Sequence, residues 1–555
     1  MMNLLKRSVP AMAAIFFGLS AMAQNAVKEV PHGWHLKDRQ TSGYYGISLD
    51  KAYDFVKGRK SKTVLVAIID SGIDTTHEDL KSVLWTNPKE IPGNGIDDDG
   101  NGYIDDIHGW NFIGGRDGRN VKEDSYEAAR VYHLYKSRFA KVDPSTLSGD
   151  DLDLYNTWKR AEKDVVTDVD VNEVTQIRFI YPRLKKGDSI ISKEMNKEEY
   201  SGKDLQSYNT TNPDASATKA IILSICSANN NNFDITNKML LDELEGQLRK
   251  AEAVDSAPPN YRGDIVGDNE NDINDKFYGN NDIMASTSMH GTHVAGIIGA
   301  ARNNGKGIDG IADNVRIMMI RAVPDGDEHD KDIALAIRYA VDNGAQVVNM
   351  SFGKSFSPQK TWVDDAVKYA ESKNVLLVHA AGNEAKDLDS TYNFPNPIYK
   401  NNKQRASNWI TIGASGDPRN GGIVASFSNY GKEEVDVFAP GVNIYSSLPG
   451  GNVYGNQSGT SMASPVTVGV AAFIMEYYPT LTAQQVKTVL EKSAIPVSEK
   501  VTNPESGEEV KLSELSKTGG LVNAYSAAQM ASQLTGNQVV TPSKSKVKVK
   551  KTRKS

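Results

Sequence analysis

Val64-Leu65-Val66-Ala67-Ile68-Ile69-Asp70-Ser71-Gly72 decides the fold. The first six residues are apolar, rich in β-branched side chains, and leave no polar alternate position. So short a run without a polar face predicts a strand buried on both sides, as in a parallel sheet covered by helices. A carboxylate closes the run. Open α/β sheets bind ligands beyond the carboxyl ends of their strands, so Asp70 is expected at a functional edge. Two more apolar runs repeat the pattern. Asn374-Val375-Leu376-Leu377-Val378 leads into His379-Ala380-Ala381-Gly382-Asn383-Glu384, and Ala345-Gln346-Val347-Val348-Asn349-Met350 leads into Ser351-Phe352-Gly353. The predicted class is α/β: a doubly wound, mostly parallel sheet flanked by helices, with a helical insertion.

Two other stretches carry chemistry. Met289-His290-Gly291-Thr292-His293-Val294-Ala295-Gly296 places a histidine just before a small, apolar, helix-compatible run. Gly459-Thr460-Ser461-Met462-Ala463-Ser464-Pro465 places a serine just before an apolar run that ends at Met475. Proline is tolerated in a first helical turn, so Ser461 is expected at or near a helix N-terminus. Free backbone N–H groups and the helix dipole favour a developing negative charge there. Gly-Thr-Ser by itself is also an ordinary loop-to-helix cap. Together the three stretches offer acid, imidazole and hydroxyl in the order Asp, His, Ser. In such a triad Ser attacks, His moves the proton, and Asp fixes the imidazole tautomer.

Ile69-Asp70-Ser71-Gly72, His290-Gly291-Thr292-His293-Val294-Ala295-Gly296 and Gly459-Thr460-Ser461-Met462-Ala463-Ser464-Pro465 closely resemble the motifs of the subtilisin-like serine proteases, in that family's order. The resemblance implies Asp70, His290 and Ser461 as catalytic residues. It implies that the Asn383 amide donates to the oxyanion together with the Ser461 backbone N–H. It further implies that Ser351, Phe352 and Gly353 pair with a polypeptide substrate as an added strand. Ala380, Ala381 and Gly382 would form the other wall of the primary specificity pocket. Small residues there suggest room for large apolar side chains, and Glu384 beside them either favours a basic one or points to water. Of nine histidines, His290 matches the family's base. His293 is expected to pack behind it, and His77 to lie near the cleft.

The loop Asn94-Gly95-Ile96-Asp97-Asp98-Asp99-Gly100-Asn101-Gly102-Tyr103-Ile104-Asp105-Asp106 repeats the chemistry of a calcium loop. Asp97, Asp99 and Asn101 fall at loop positions one, three and five, Gly102 at the sharp turn, Tyr103 at the carbonyl position and Asp105 at nine. Position twelve is His108 where an EF-hand has Glu, and no flanking EF helices are evident. The choice lies between a single structural calcium site and a turn-rich acidic loop without metal. Asp79 resembles a calcium ligand of the family, but its partners near Asn303 and Asn304 match poorly. The acidic stretch Gly263–Asp272 is a second, weaker ion candidate.

The chain has 555 residues and 39% hydrophobic and 24% charged residues, the balance of a soluble globular protein. A net charge of −7 gives no support for nucleic-acid binding. Lys6 and Arg7, the apolar stretch Ala11–Ser20 and Ala21-Met22-Ala23 read as a secretory signal peptide over 1–23, too short to argue for a transmembrane span. Export to the periplasm or beyond follows from it. The one cysteine, Cys226, cannot form an internal disulfide. An N-terminal extension covers 24–60, with a short helix at Leu49–Val56. The catalytic domain is assigned to 61–119 and 261–534, and a basic tail to 535–555.

Asp70 and His290 stand 220 positions apart, far more than in simple members of the family. Residues 120–260 are therefore an insertion. Its helical periodicity places Ala128, Val131, Tyr132, Tyr135, Phe139 and Val142 on one face, then Leu154, Trp158, Ala161 and Val165, then Leu241, Leu244, Leu248 and Ala251. It is either a packed decoration or a lid or docking element near the cleft. For the whole chain, the alternatives to an exported serine endopeptidase are an idle binding protein on the same fold and a self-processing or peptide-ligating relative.

Overall fold

The computed structural model describes residues 30–167, 171–197, 199–229 and 232–534. The stretches expected to be a signal peptide, 1–23, and a basic tail, 535–555, lie outside the described residues.

A ten-stranded sheet forms the centre. Its principal strands are β1 (Val64–Asp70), β2 (Gly109–Asn111), β3 (Val315–Arg321), β4 (Val347–Met350), β5 (Leu376–Ala380), β6 (Trp409–Asp417), β7 (Asn420–Val424) and β8 (Val437–Pro440). The order is β8-β6-β5-β4-β1-β3-β2, every pair in it parallel, with β7 antiparallel on β6. Two short strands, Gly520–Leu521 and Ile495–Pro496, extend the β8 edge. The doubly wound, mostly parallel sheet read from the sequence is the observed one.

β1 explains why. Val64, Val66 and Ile68 point into one core, shared with the helices Leu49–Val56, Met289–Gly299, Thr460–Tyr477, Ala483–Lys492 and Ala524–Leu534. Ala67 and Ile69 point into the opposite core, shared with the helices Asp330–Asp342 and Lys360–Ser372. A strand roofed on both faces can carry no polar position, and this one carries none before Asp70. The chain also reverses its winding direction here. β3 lies on one side of β1 and β4 on the other, so the C-terminal end of β1 is the topological switch point where such sheets open a crevice. Asp70 sits at that end.

The helix expected at Leu49–Val56 is present, and Trp34 before it is buried in the same core. The described residues between 120 and 260 include the helices Glu127–Phe139, Asp150–Glu162, Val171–Met195, Pro213–Ala228 and Asn237–Glu252. They form two small cores. One gathers Val131, Tyr132, Phe139, Trp158 and Ala161 against Phe356, which lies just beyond β4. The other gathers Leu184, Ile191, Ile222, Ile225 and Leu244. Leu241 and Leu248 are only partly buried beside the second. Among the described residues, no helix is long and apolar enough to cross a membrane.

Candidate active site

Asp70 ends β1 and is 2% exposed. Its Oδ1 accepts the Ser71 backbone N–H at 2.7 Å and faces His290 Nδ1 at 2.8 Å. A carboxylate on Nδ1 fixes the tautomer that leaves Nε2 as the acceptor. The His290 side chain stays 26% exposed, open to a reactant. Gly291 makes this approach possible. A Cβ there would collide with the Gly72 carbonyl oxygen, so only glycine lets the His helix close onto the loop after β1. Thr292 adds a clasp, its Oγ1 accepting the Asp74 N–H at 2.8 Å.

Ser461 is the second residue of the helix Thr460–Tyr477, which packs against the His helix. Its hydroxyl donates to the Ser351 carbonyl at 3.1 Å. The helix begins earlier than the sequence suggests, so Pro465 lies in the second turn, not the first. A proline there cannot donate to the carbonyl of the residue four before it, which is Ser461. The Ser351 hydroxyl donates to that orphaned oxygen instead, at 3.0 Å. The proline thus creates a vacancy that ties the serine to the end of β4.

Asn383 follows β5. Its side-chain oxygen accepts both the Thr460 N–H at 2.8 Å and the Thr460 hydroxyl at 3.1 Å. Two donors on the oxygen assign the amide orientation and leave the NH2 as its donor end. Thr460 Oγ1 also accepts the Gly382 N–H at 3.0 Å, joining the β5 loop to the serine helix.

A cavity of about 220 Å³ opens beside Ser461, lined by Ser351, Phe352, Gly353, Ala380 and Gly382. Ala381 lies behind it and turns its carbonyl to Asn393 Nδ2 at 2.9 Å and Asn429 Nδ2 at 2.9 Å. The lining is more polar than its small residues imply, because Glu384, Lys386, Asn393 and Asn429 also face it. Glu384 Oε2 accepts from Asn429 Nδ2 at 2.6 Å, so its charge is held at the pocket. Asn393 and Asn429 were not legible in the sequence, since no spacing links them to the walls they bridge.

The other histidines have structural work. His293 is fully buried, burial pushes it down to about 3, and its Nε2 donates to the Gly455 carbonyl at 3.1 Å. His77 Nδ1 accepts the Asp79 N–H, which leaves Nε2 to donate to the Val453 carbonyl at 3.1 Å. Both hold the hairpin of β9 (Ile444–Leu448) and β10 (Val453–Gln457), which leads into Ser461. His379, lowered to about 4 by burial, donates to the Phe352 carbonyl at 2.8 Å and pins that wall. His329 has a carboxylate on each nitrogen, Asp124 and Glu270, and no open side for a reactant.

The acidic loop brings Asp97 and Asp99 together with Glu90, their oxygens within 4.8 Å of one another. Glu90 is 7% exposed. Its Oε1 accepts the Asp98 N–H at 2.9 Å, and its Oε2 has no hydrogen-bond partner. A buried carboxylate oxygen without a donor, beside two other carboxylates, fits a hard cation. Glu90 stands outside the one-three-five spacing, so the sequence pattern did not reach it. Asn101 Oδ1 accepts the Tyr103 N–H at 2.8 Å, and the Tyr103 ring packs against Trp110 and Tyr339. The two oxygens of Asp105 accept the Gly93 and Gly95 N–H groups, each at 2.8 Å, and brace the loop. Asp79 is filled by Asn304 at 2.6 Å and the Tyr454 hydroxyl at 2.8 Å. In the second acidic stretch Asp268 pairs with Lys331 and Arg262, so side-chain cations stand where an ion was considered.

A sequence profile of the Subtilase family (peptidase S8) matches residues 61–527. The thermophilic serine proteinase of Bacillus sp. strain AK1 is 45% identical over 186 residues, 33% of this chain and 42% of its own length. Subtilisin DY of Bacillus licheniformis is 38% identical over 207 residues, 37% of this chain and 70% of its own. The chain thus spans less than half the length of the first of these relatives. A solved protease structure from Pseudoalteromonas arctica aligns with 91% of this chain and 100% of its own, at 20% identity and a TM-score of 0.44. The profile runs from β1 past the serine helix and takes in Asp70, His290, Asn383 and Ser461 alike: the chain belongs to the subtilase family.

Proposed function

We propose that the protein is an exported serine endopeptidase that hydrolyses peptide bonds through Asp70, His290 and Ser461. The observation that carries this is the Asp70–His290 pair at 2.8 Å, set at the sheet's switch point, with Ser461 partly exposed at the start of the helix that packs against the His290 helix. Ser461 Oγ turns from the Ser351 carbonyl to His290 Nε2 and attacks the substrate carbonyl. His290 takes the proton, and the Oγ–C bond forms. The tetrahedral oxygen receives hydrogen bonds from the Asn383 amide and the Ser461 N–H. His290 then gives its proton to the leaving nitrogen as the C–N bond breaks. Water, activated by the same imidazole, releases the acyl group and restores Ser461. Substrate backbone lies along Ser351-Phe352-Gly353, with its side chain in the pocket toward Ala380-Ala381-Gly382. The direct test is cleavage of a diverse peptide library by purified protein, with mass spectrometry of the cuts. No cleavage of any member would end this reading.

Asn383→Ala should lower kcat by about 10²–10³-fold with little change in KM, because its donor acts on charge that exists only in the transition state. Steady-state kinetics on one peptide checks this. A change confined to KM would assign Asn383 to ground-state binding.

We also propose that calcium is bound structurally by the loop Asp97–Asp105. Asp97, Asp99 and Glu90 are its carboxylate ligands, Asn101 and Tyr103 are candidates for further oxygens, and Asp105 orders the turn. A cation bound only by the native state stabilises it by about 2.7 kcal/mol at a hundredfold excess over Kd. Chelator should lower the melting temperature, and calcium should restore it. Asp97→Ala with Asp99→Ala should abolish that response. An identical wild-type melting temperature in chelator and in calcium would make the loop a turn alone.

A further inference from the structure

The insertion meets the substrate wall through buried charge. Lys354 directly follows Gly353, and its side chain is 1% exposed. Its Nζ donates to Glu127 Oε2 at 2.7 Å and to the Glu328 carbonyl at 2.7 Å, and pairs with Asp330 Oδ1 at 3.0 Å. Those three acceptors match the three protons of an ammonium. Burial alone would lower Lys354, but Asp330 and Glu127 outweigh it and hold the ammonium above its usual range. Glu127 opens the first helix of the insertion, and Arg130 lies one turn along. Arg130 clasps Glu127 with two bonds, at 2.8 and 3.2 Å. It also donates to the Asp327 carbonyl at 3.1 Å and the Glu328 carbonyl at 3.3 Å. Backbone bonds continue the seam, with Asp124 N–H to the Asp325 carbonyl and Asp325 N–H to the Lys122 carbonyl, each at 2.9 Å. One helix of the insertion therefore holds two segments that leave the carboxyl ends of β3 and β4.

Docking alone does not call for this chemistry. Trp158, Tyr132 and Phe139 already pack against Phe356. Buried ion pairs add little net stability over apolar contacts, because desolvation offsets their attraction. They do fix direction and register. The Lys354 backbone meanwhile exchanges two hydrogen bonds with Phe394, at 3.0 and 2.8 Å, next to Asn393, which lines the cavity beside Ser461. The residue after the substrate-pairing segment is thus fixed in all directions, and one fixing group comes from the insertion.

We propose that Glu127 and Arg130 are positioning residues for the extended substrate: acting through Lys354, they hold Ser351-Phe352-Gly353 in the register that pairs with the peptide backbone. This rests on the endopeptidase reading above, and the test separates the two. Glu127→Gln keeps shape and one acceptor but removes the charge. Two substrates are compared, a peptide amide that extends along the wall and a minimal acyl ester that does not. The rate of active-site labelling by a fluorophosphonate is measured beside them. The expected result is a rise in KM for the extended peptide of about tenfold or more, with ester turnover and labelling within about twofold of wild type. If Glu127→Gln fails to fold, Glu127→Asp keeps the charge that pairs with Lys354 and Arg130 but shortens its reach, and should give the same split. Equal loss on both substrates, or no loss on either, would overturn the proposal. A wild type that hydrolyses neither substrate nor takes label would overturn the endopeptidase reading and this one with it.

Discussion

Ser461→Ala is expected to lower peptide hydrolysis by about 10⁵–10⁶-fold, because every step of covalent catalysis passes through that hydroxyl. The fold should be unaffected. The Ser461 side chain makes one hydrogen bond, to the Ser351 carbonyl, and sits at a partly exposed helix start. The bond that ties this turn to β4 uses the Ser461 backbone oxygen, which alanine retains. The variant should therefore melt within about 1 kcal/mol of wild type in unfolding free energy, as expected for loss of a single part-exposed hydrogen bond. Residual turnover above the uncatalysed rate should persist, since Asn383 and the substrate wall remain. Kinetics with calorimetry checks both halves. Wild-type hydrolysis in this variant would remove Ser461 from the mechanism.

Asp70→Asn is expected to cost about 10⁴-fold in kcat with the geometry retained. Asp70 Oδ1 faces His290 Nδ1, so that nitrogen must carry the proton and Nε2 stays free to accept one. An asparagine that presents its NH2 to Nδ1 reverses the tautomer and places the proton on Nε2, where the base is needed. The change is isosteric, and the buried site loses a charge, so no packing defect accompanies it. A loss below about tenfold would mean that Asp70 only orients His290 and that its charge is not used.

The elements that the sequence made legible are those governed by local rules. β1 could be read because a strand roofed on both faces must be apolar throughout, and Asp70 because it ends that run. His290 and Ser461 could be read because each opens an apolar helix at the same edge. The acidic loop Asp97–Asp105, proposed to bind calcium, was partly readable because its oxygens follow a spacing. What escaped were contacts between distant positions. Glu90 joins Asp97 and Asp99 by chain reversal, outside the spacing. Asn393 and Asn429 line the cavity beside Ser461 from loops whose own sequence carries no period. Glu127 reaches Lys354 across 227 positions. The acidity of Asp79 and Asp268 is visible in a sequence, whereas the amide, hydroxyl and ammonium donors that meet them are not. Pro465 misled in a smaller way. It marked a helix start correctly to within a turn, but its effect depends on Ser351, which donates from the segment just after β4.

We propose Ser461 as the nucleophile, activated by His290 and Asp70. The most direct measurement is the site of covalent modification when the purified protein is treated with a serine-directed fluorophosphonate, mapped by tryptic digestion and mass spectrometry. A single labelled residue, Ser461, is expected, with labelling lost in Ser461→Ala and strongly slowed in Asp70→Asn. Label on any other residue, or none in a protein that still cleaves peptides, would contradict it.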